Sequence, residues 1–250
     1  MKKAVNKFIE FILIVIIIGC IAIIGKRGYG ALTTKMSERE INKITNSINM
    51  NVSQGASEFD IREQKSLAAL KKFQQMNQDV KGMIEIPGTW VYYPVMQSDD
   101  NEFYLDRDVK AEYSEGGSIF MDAENNSDFS DTNTVIYGHH MWINSMFTAL
   151  DEFRKQDFAE KNNVIYITDN DGMKEYHVFS AYGTPADYDY RTLEFSDPDE
   201  KIEYLNKLKN KSEVSLDSGE FNKDSQIITL STCAYDFDDW RLAVHAVRVK

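Results

Sequence analysis

The chain has 250 residues, of which 42% are hydrophobic and 12% aromatic against 13 glycines and 4 prolines; this excludes collagen-like, Pro/Gly-rich and wholly disordered chains and leads to the expectation of one compact domain. The formal charge is −12, and residues 1 to 27 carry a net +4, which leaves −16 on residues 28 to 250. A surface this acidic repels phosphate backbones and anionic lipid, so nucleic acid is set aside as a partner and neutral or cationic partners are favoured.

Phe11 to Ile24 (FILIVIIIGCIAII) is an uncharged, mostly apolar run, and Phe8 and Ile9 extend it across the single charge of Glu10. From Phe8 to Gly25 it approaches the roughly 20 residues that span a hydrocarbon core. Lys2, Lys3 and Lys7 precede it, which favours a cytoplasmic N-terminus, although Lys26 and Arg27 on the far side weaken that vote. Ile17-Ile18-Gly19-Cys20 resembles a lipobox, and a cleaved signal peptide is the other alternative. A signal-peptide core runs about 7 to 15 residues before a small-residue cleavage site. Here the apolar run continues past Cys20, and the expectation is an uncleaved anchor with residues 1–7 in the cytoplasm and 8–25 in the membrane.

Residues 26–59 read as an extracytoplasmic stalk. Within it Ile41, Ile44 and Ile48 mark a short amphipathic helix over Ser37 to Asn49, with Ser37 as N-cap and Glu40 completing a capping box. A longer helix over Asp60 to Val80, capped by Asp60, carries Leu67, Leu70, Phe73, Met76 and Val80 as one stripe. From Gly82 the period changes to short β-branched or aromatic runs: Met83 to Gln97, Ser118 to Asp122, Thr132 to His140, Asn163 to Asp169, Met173 to Thr184, Ser225 to Cys233 and Arg241 to Val249. Asp169-Asn170-Asp171-Gly172 joins two of them as a hairpin. Helices are expected over Ser145 to Phe158 and over Asp197 to Asn210, the latter with Pro198 in its first turn. Seven or eight short strands at this spacing point to a closed barrel or a sandwich.

Chemistry-bearing residues gather at strand ends. His139-His140 ends one strand, Cys233 ends another in Thr229-Leu230-Ser231-Thr232-Cys233, and Arg241 opens the last. Cys20 and Cys233 are the two cysteines, so no disulfide forms within the ectodomain and Cys233 is a lone thiol, either core filler or functional. A free thiol near pKa 8.5 needs an imidazole or a cation to become a nucleophile, and a fixed guanidinium can hold the oxyanion formed when a thiolate attacks a carbonyl. Alternation along an extended strand turns His139 and His140 to opposite sides, so one of them serves, and His245, which shares strand parity with Arg241, is a rival base. The same divergence argues against zinc on His139, His140 and Cys233; no metal and no cofactor are expected. His177 reads as structural, and Asp236, Asp238 and Asp239 as a solvated face or partners of Arg241. Tyr182, Tyr188 and Tyr190 are candidates for a peptide groove or for packing.

The N-terminal anchor, Tyr137-Gly138-His139, the TLSTC run ending in Cys233 and the following Arg241 together resemble the sortases, cysteine transpeptidases of the Gram-positive cell surface. Helices ahead of the barrel, and one inserted before the cysteine strand, resemble class B. The resemblance covers about residues 60 to 250. It implies a mainly β fold, a closed sortase-type β-barrel of seven to eight strands, with residues 60–250 as the catalytic domain. It also implies Cys233 as nucleophile, His139 as acid/base with His140 as the alternative, Arg241 as substrate and oxyanion stabiliser, and Ser231, Thr232 and Tyr182 as substrate-binding residues. The implied partners are surface proteins bearing an Asn-Pro-x-Thr-like sorting signal, cut after Thr, and a peptidoglycan amine that receives the acyl group. A peptidase that only hydrolyses and a non-enzymatic tethered module are the alternatives.

Overall fold

The computed structural model describes residues 2–48, 55–141, 143–233 and 239–250, with side chains from residue 10 onward except that of Cys233. Helix α1 (Lys2–Asn46) is continuous from the apolar run into the expected stalk, as far as Asn46. Ser37 is therefore no N-cap but a buried mid-helix residue. No proline interrupts residues 25 to 46, and Gly30, Thr34, Ser37, Ile41 and Thr45 are buried at helical spacing along one stripe. Small residues let this stripe lie close to the barrel. A Cβ on Gly30 would sit 1.5 Å from a Glu115 carboxylate oxygen, and Thr34 Oγ1 accepts from the Gly116 amide at 3.0 Å. The outer half of α1 is thus a docked helix.

Helix α2 (Glu58–Met76) starts on a capping box in which Ser57, not Asp60, is the N-cap: Ser57 Oγ accepts from the Asp60 amide, and the Asp60 carboxylate accepts from the Ser57 amide. Of its expected stripe Leu70 and Phe73 are buried, together with Ser66 and Ala69, whereas Met76 at the helix end is exposed and Val80 opens the first strand.

Eight strands follow: β1 (Val80–Glu85), β2 (Tyr92–Met96), β3 (Ile119–Met121), β4 (Asn133–Tyr137), β5 (Val164–Asp169), β6 (Gly172–Pro185), β7 (Ile227–Cys233) and β8 (Trp240–Arg248). They close in the order β1-β2-β3-β4-β7-β8-β6-β5, with β5 returning to β1. The run Met83–Gln97 divides into β1 and β2 around the Pro87-Gly88 turn. Closure leaves no open sheet edge and pairs β2 with β3 and β4 with β7 in parallel. The expected helix over 145–158 is a 3₁₀ segment, Phe147–Arg154, followed by α3 (Gln156–Lys161).

Two apolar layers result. Inward-facing Ile136, Ile228, Leu230, Leu242, Val244 and Ala246 fill the barrel together with residues from β1, β2 and α2. On the outer face of β6, β7 and β8, the helix α4 (Pro198–Asn210) covers Phe179, Tyr182, Ala243 and Val247 with Leu205 and Leu208. Asp197 caps α4 by accepting from the amides of Asp199 and Glu200.

This second layer holds His245. Its Nδ1 lies 2.9 Å from Thr229 Oγ1 and its Nε2 lies 3.0 Å from the Tyr182 hydroxyl. Burial pushes its pKa down to about 3. The unfolded chain takes up this proton below the ordinary value of 6.5, so the contribution of neutral His245 to stability is whole above that pH. It falls by up to about 1.4 kcal/mol per pH unit as pH drops towards the folded value. Urea unfolding at stepped pH checks this: the fall in stability is expected to be shallower by one proton in His245→Asn, and an unchanged slope would contradict it.

Candidate active site

The parallel β4/β7 pair and the antiparallel β7/β8 pair bring three strand ends side by side. Tyr137 is the register partner of Ser231, and the Gly138 amide donates to the Ser231 carbonyl at 3.1 Å. His139 follows the end of β4 by two residues, and Cys233 closes β7 two residues past Ser231. On the other side Cys233 is paired directly with Arg241. Cys233 and Arg241 are thus cross-strand partners on β7 and β8, and His139 lies two residues beyond the end of β4, which flanks β7 on the other side. The thiol itself lies outside the described side chains, as do Asp236 and Asp238.

A cleft of about 240 Å³ opens at these ends, lined by Leu105, Phe120, Tyr137, Gly138, Tyr190, Arg191, Ser231, Thr232 and Arg241, with Asn101 at its rim. Phe120 and Tyr137 form an aromatic wall with ring centroids 5.3 Å apart. Tyr137 donates to Asp122 at 2.6 Å and accepts from Arg191 at 3.4 Å, so a guanidinium and a carboxylate meet on one phenol. Burial is the main reason the Tyr137 hydroxyl holds its proton well above the usual tyrosine range. Tyr190 backs the cleft through a 2.8 Å hydrogen bond between its hydroxyl and Ser231 Oγ. The Arg241 guanidinium donates to the Trp240 carbonyl at 3.0 Å.

The two histidines part company. His139 Nε2–H donates to the Leu105 carbonyl at 2.7 Å on the cleft rim, which leaves Nδ1 as the lone-pair nitrogen of the neutral ring. His140 turns the other way, with Nε2 2.5 Å from Asp151 Oδ2, and lines a separate cavity beneath α1.

Their backbone is fixed from both sides. The Phe147 amide donates to the His139 carbonyl at 3.1 Å, and Met146 is held at φ +47°, a strained value for a bulky residue. The Met146 amide donates to the Tyr93 hydroxyl, which in turn donates to Glu38 of α1. Partial burial lifts the Glu38 carboxyl above the usual carboxylate range. Gly138 is required by close approach: a Cβ there would meet Ile119 Cδ1 at 2.4 Å and the Phe147 ring at 2.7 Å. Gly138→Ala is expected to cost about 1–3 kcal/mol by overpacking and to lower kcat by displacing His139; thermal unfolding and turnover measured together check both effects.

Of the residues singled out in the sequence, Tyr137, Gly138, Tyr190, Ser231, Thr232 and Arg241 line this cleft. Tyr182 does not reach it. At 1% exposure it is buried in the layer under α4, with its hydroxyl committed to His245, which corrects the expectation that it contacts substrate. His245 sits in that same layer, four residues along β8 from Arg241, about 13 Å by strand rise. His177 lies on β6 with Nε2 2.8 Å from Glu175. Arg191, Phe120 and Leu105 are cleft residues that no motif announced. The signal for Arg191 was its place in the aromatic stretch Tyr188-Asp189-Tyr190-Arg191.

The family model for the sortase domain matches residues 84–249. The chain belongs to the sortase family. Sortase B of Staphylococcus aureus is 36% identical over 182 residues, covering 72% of this chain and 74% of that protein. Sortase B of Listeria monocytogenes is 35% identical over 177 residues, covering 70% and 72%. The crystal structure of sortase B from B. anthracis aligns at a TM-score of 0.73 with 32% identity, covering 88% of this chain and 99% of that one. The sortase has class B relatives and a cysteine transpeptidase fold, and the closed eight-stranded barrel with its added helices matches those structures. Sortases act on surface proteins that bear sorting signals.

Proposed function

We propose that this sortase is a membrane-anchored enzyme that cleaves an Asn-Pro-x-Thr-like sorting signal after Thr and transfers the protein to a peptidoglycan amine. The observation that supports this reading is the strand order β4-β7-β8, which pairs Cys233 with Arg241 and brings the end of β4, two residues before His139, against β7 beside the cleft. In the first half-reaction the Cys233 thiolate attacks the Thr carbonyl carbon, and Arg241 stabilises the oxyanion. The C–N bond then breaks, the leaving amine takes a proton from the His139 imidazolium, and a thioester remains. In the second half-reaction the acceptor amine yields a proton to His139 and attacks the thioester. A new amide forms and the thiolate is released.

The walls fit a peptide. Leu105 and Phe120 offer apolar surface, while Ser231, Thr232, Arg191 and Arg241 supply polar groups. The anchor reading assigns residues 1–7 to the cytoplasm, 8–25 to a single membrane pass and 60–250 to an extracytoplasmic catalytic domain. It is supported by the length and apolarity of α1, whose most apolar window is wholly unburied. A tether of this kind raises the effective concentration of substrates emerging from the same membrane.

The test mixes the protein with peptides carrying Pro-x-Thr motifs and an amine, and reads intact mass. A thioester adduct that chases onto the amine is the expected result. An adduct released only to water, whatever the amine concentration, would replace transfer with hydrolysis. Arg241→Lys keeps the charge but loses the planar fork; it is expected to lower kcat by about 10²-fold with a smaller change in KM, and equal loss in both would assign Arg241 to ground-state binding instead.

A further inference from the structure

The helix that carries the apolar run also docks on the barrel, and among the described residues it is continuous between the two. The eighteen residues from Phe8 to Gly25 rise about 27 Å as a helix, close to a hydrocarbon core of about 30 Å. That places Ile24 at the outer hydrocarbon boundary. The headgroup layer beyond it is about 5–8 Å deep, and Gly28 and Ala31 stand about 6 and 10 Å past Ile24 along the axis.

These same residues touch the barrel. Ile24, Arg27, Gly28 and Ala31 form one wall of a cavity of about 570 Å³ whose other wall is Glu115, His140, Met141 and Ile143. The ring of Tyr29 stacks on that of Tyr113, centroids 6.2 Å apart and planes 9° apart, and both rings are more than half exposed. Thr33 and Thr34 accept from the amides of Glu115 and Gly116, which pins the 113–116 segment to the first turns outside the span. The Tyr pair, with Lys26 and Arg27 beside it, has the composition of a membrane interface, where amphipathic rings and snorkelling cations collect.

We propose that the barrel rests directly on the bilayer, with Tyr113, Met141 and Ile143 among the phospholipid headgroups of the outer leaflet and the cleft mouth next to them. Headgroups then fill the cavity that α1 forms with His140, Met141 and Ile143. This inference rests on the anchor reading of α1. It replaces a stalk that stands the domain away from the membrane with a seat that fixes its orientation. His139, adjacent to His140, works a short distance above the lipid surface.

Depth measurements on the 250-residue chain in phosphatidylcholine nanodiscs test it. The native thiols are removed by Cys20→Ser and Cys233→Ala, and a nitroxide is attached singly at Ile17→Cys, Tyr113→Cys, Ile143→Cys or Asp171→Cys. Asp171 borders a pocket with Gln74, one residue past Phe73 of α2, while Lys72 of α2 meets Ser47 at the far end of α1. It is the membrane-distal control.

A nickel-chelating headgroup lipid is expected to relax the labels at 113 and 143 several-fold more strongly than the label at 171, with the label at 17 accessible to oxygen and shielded from aqueous nickel. Labels at 113 and 143 that behave like 171 while 17 is in lipid would overturn the seating alone. A label at 17 exposed to water would overturn the anchor reading and the seating with it. Hydrogen exchange on the unlabelled chain supplies a second readout free of substitutions at the contact. Amides 110–116 and 139–141 are expected to exchange more slowly in nanodiscs than in detergent, whereas unchanged rates would count against the seat.

Discussion

Cys233→Ala is expected to eliminate the thioester adduct and to lower sorting-signal cleavage by more than about 10⁴-fold, the scale seen when a covalent nucleophile is removed. Peptide binding should survive, because Leu105, Phe120, Tyr190 and Arg191 shape the cleft independently of the thiol. The fold should survive as well, since the backbone pairing of position 233 with Arg241 does not depend on the side chain. Cys233→Ser is expected to be equally inactive, because a hydroxyl is hardly ionised near neutral pH where a thiol is. Intact mass, peptide affinity and melting temperature measured on one preparation separate these claims. Residual turnover within tenfold of the parent enzyme would remove Cys233 from the mechanism.

The second large effect divides the paired histidines. His139→Ala is expected to reduce kcat by about 10²- to 10⁴-fold, the usual value of a positioned general acid/base, while His140→Ala should cost less than about tenfold. The reason is directional. His139 is on the Leu105 side, with Nδ1 as its remaining nitrogen, whereas His140 is engaged by Asp151 on the opposite side of the strand end. The pH dependence of Cys233 alkylation adds a readout that a merely structural role would not move: loss of the imidazole partner should return the thiol towards its ordinary range near 8.5. Inactivity of His140→Ala with near-normal His139→Ala would exchange the two roles.

Much of the molecule was legible in its sequence because the signals were local. Alternating β-branched runs marked the strands, Asp197 and Pro198 marked the start of α4, and Asp169 to Gly172 marked the hairpin. The continuity of α1 was not legible. Ser37 followed by Glu40 matches a capping box, yet capping is worth only about 1 kcal/mol, and burial of Gly30, Thr34, Ser37, Ile41 and Thr45 against the barrel outweighs it. Tyr182 failed as a groove residue for a similar reason. Strand parity assigns a side chain to a face, but here that outer face is covered by α4 and not by solvent.

By itself the sequence determined the β-rich class, the apolar N-terminal run and the identities of the few residues able to carry thiol chemistry. These follow from composition, period and residue type, which need no knowledge of distant neighbours. Only the tertiary structure decided that β7 lies between β4 and β8, and hence that Cys233 pairs with Arg241 next to the end of β4; that His139 meets the Leu105 carbonyl while His140 meets Asp151; and that Arg191 enters the cleft. Each of these depends on pairings between segments up to about a hundred residues apart, where strand register and closure, not local propensity, set position.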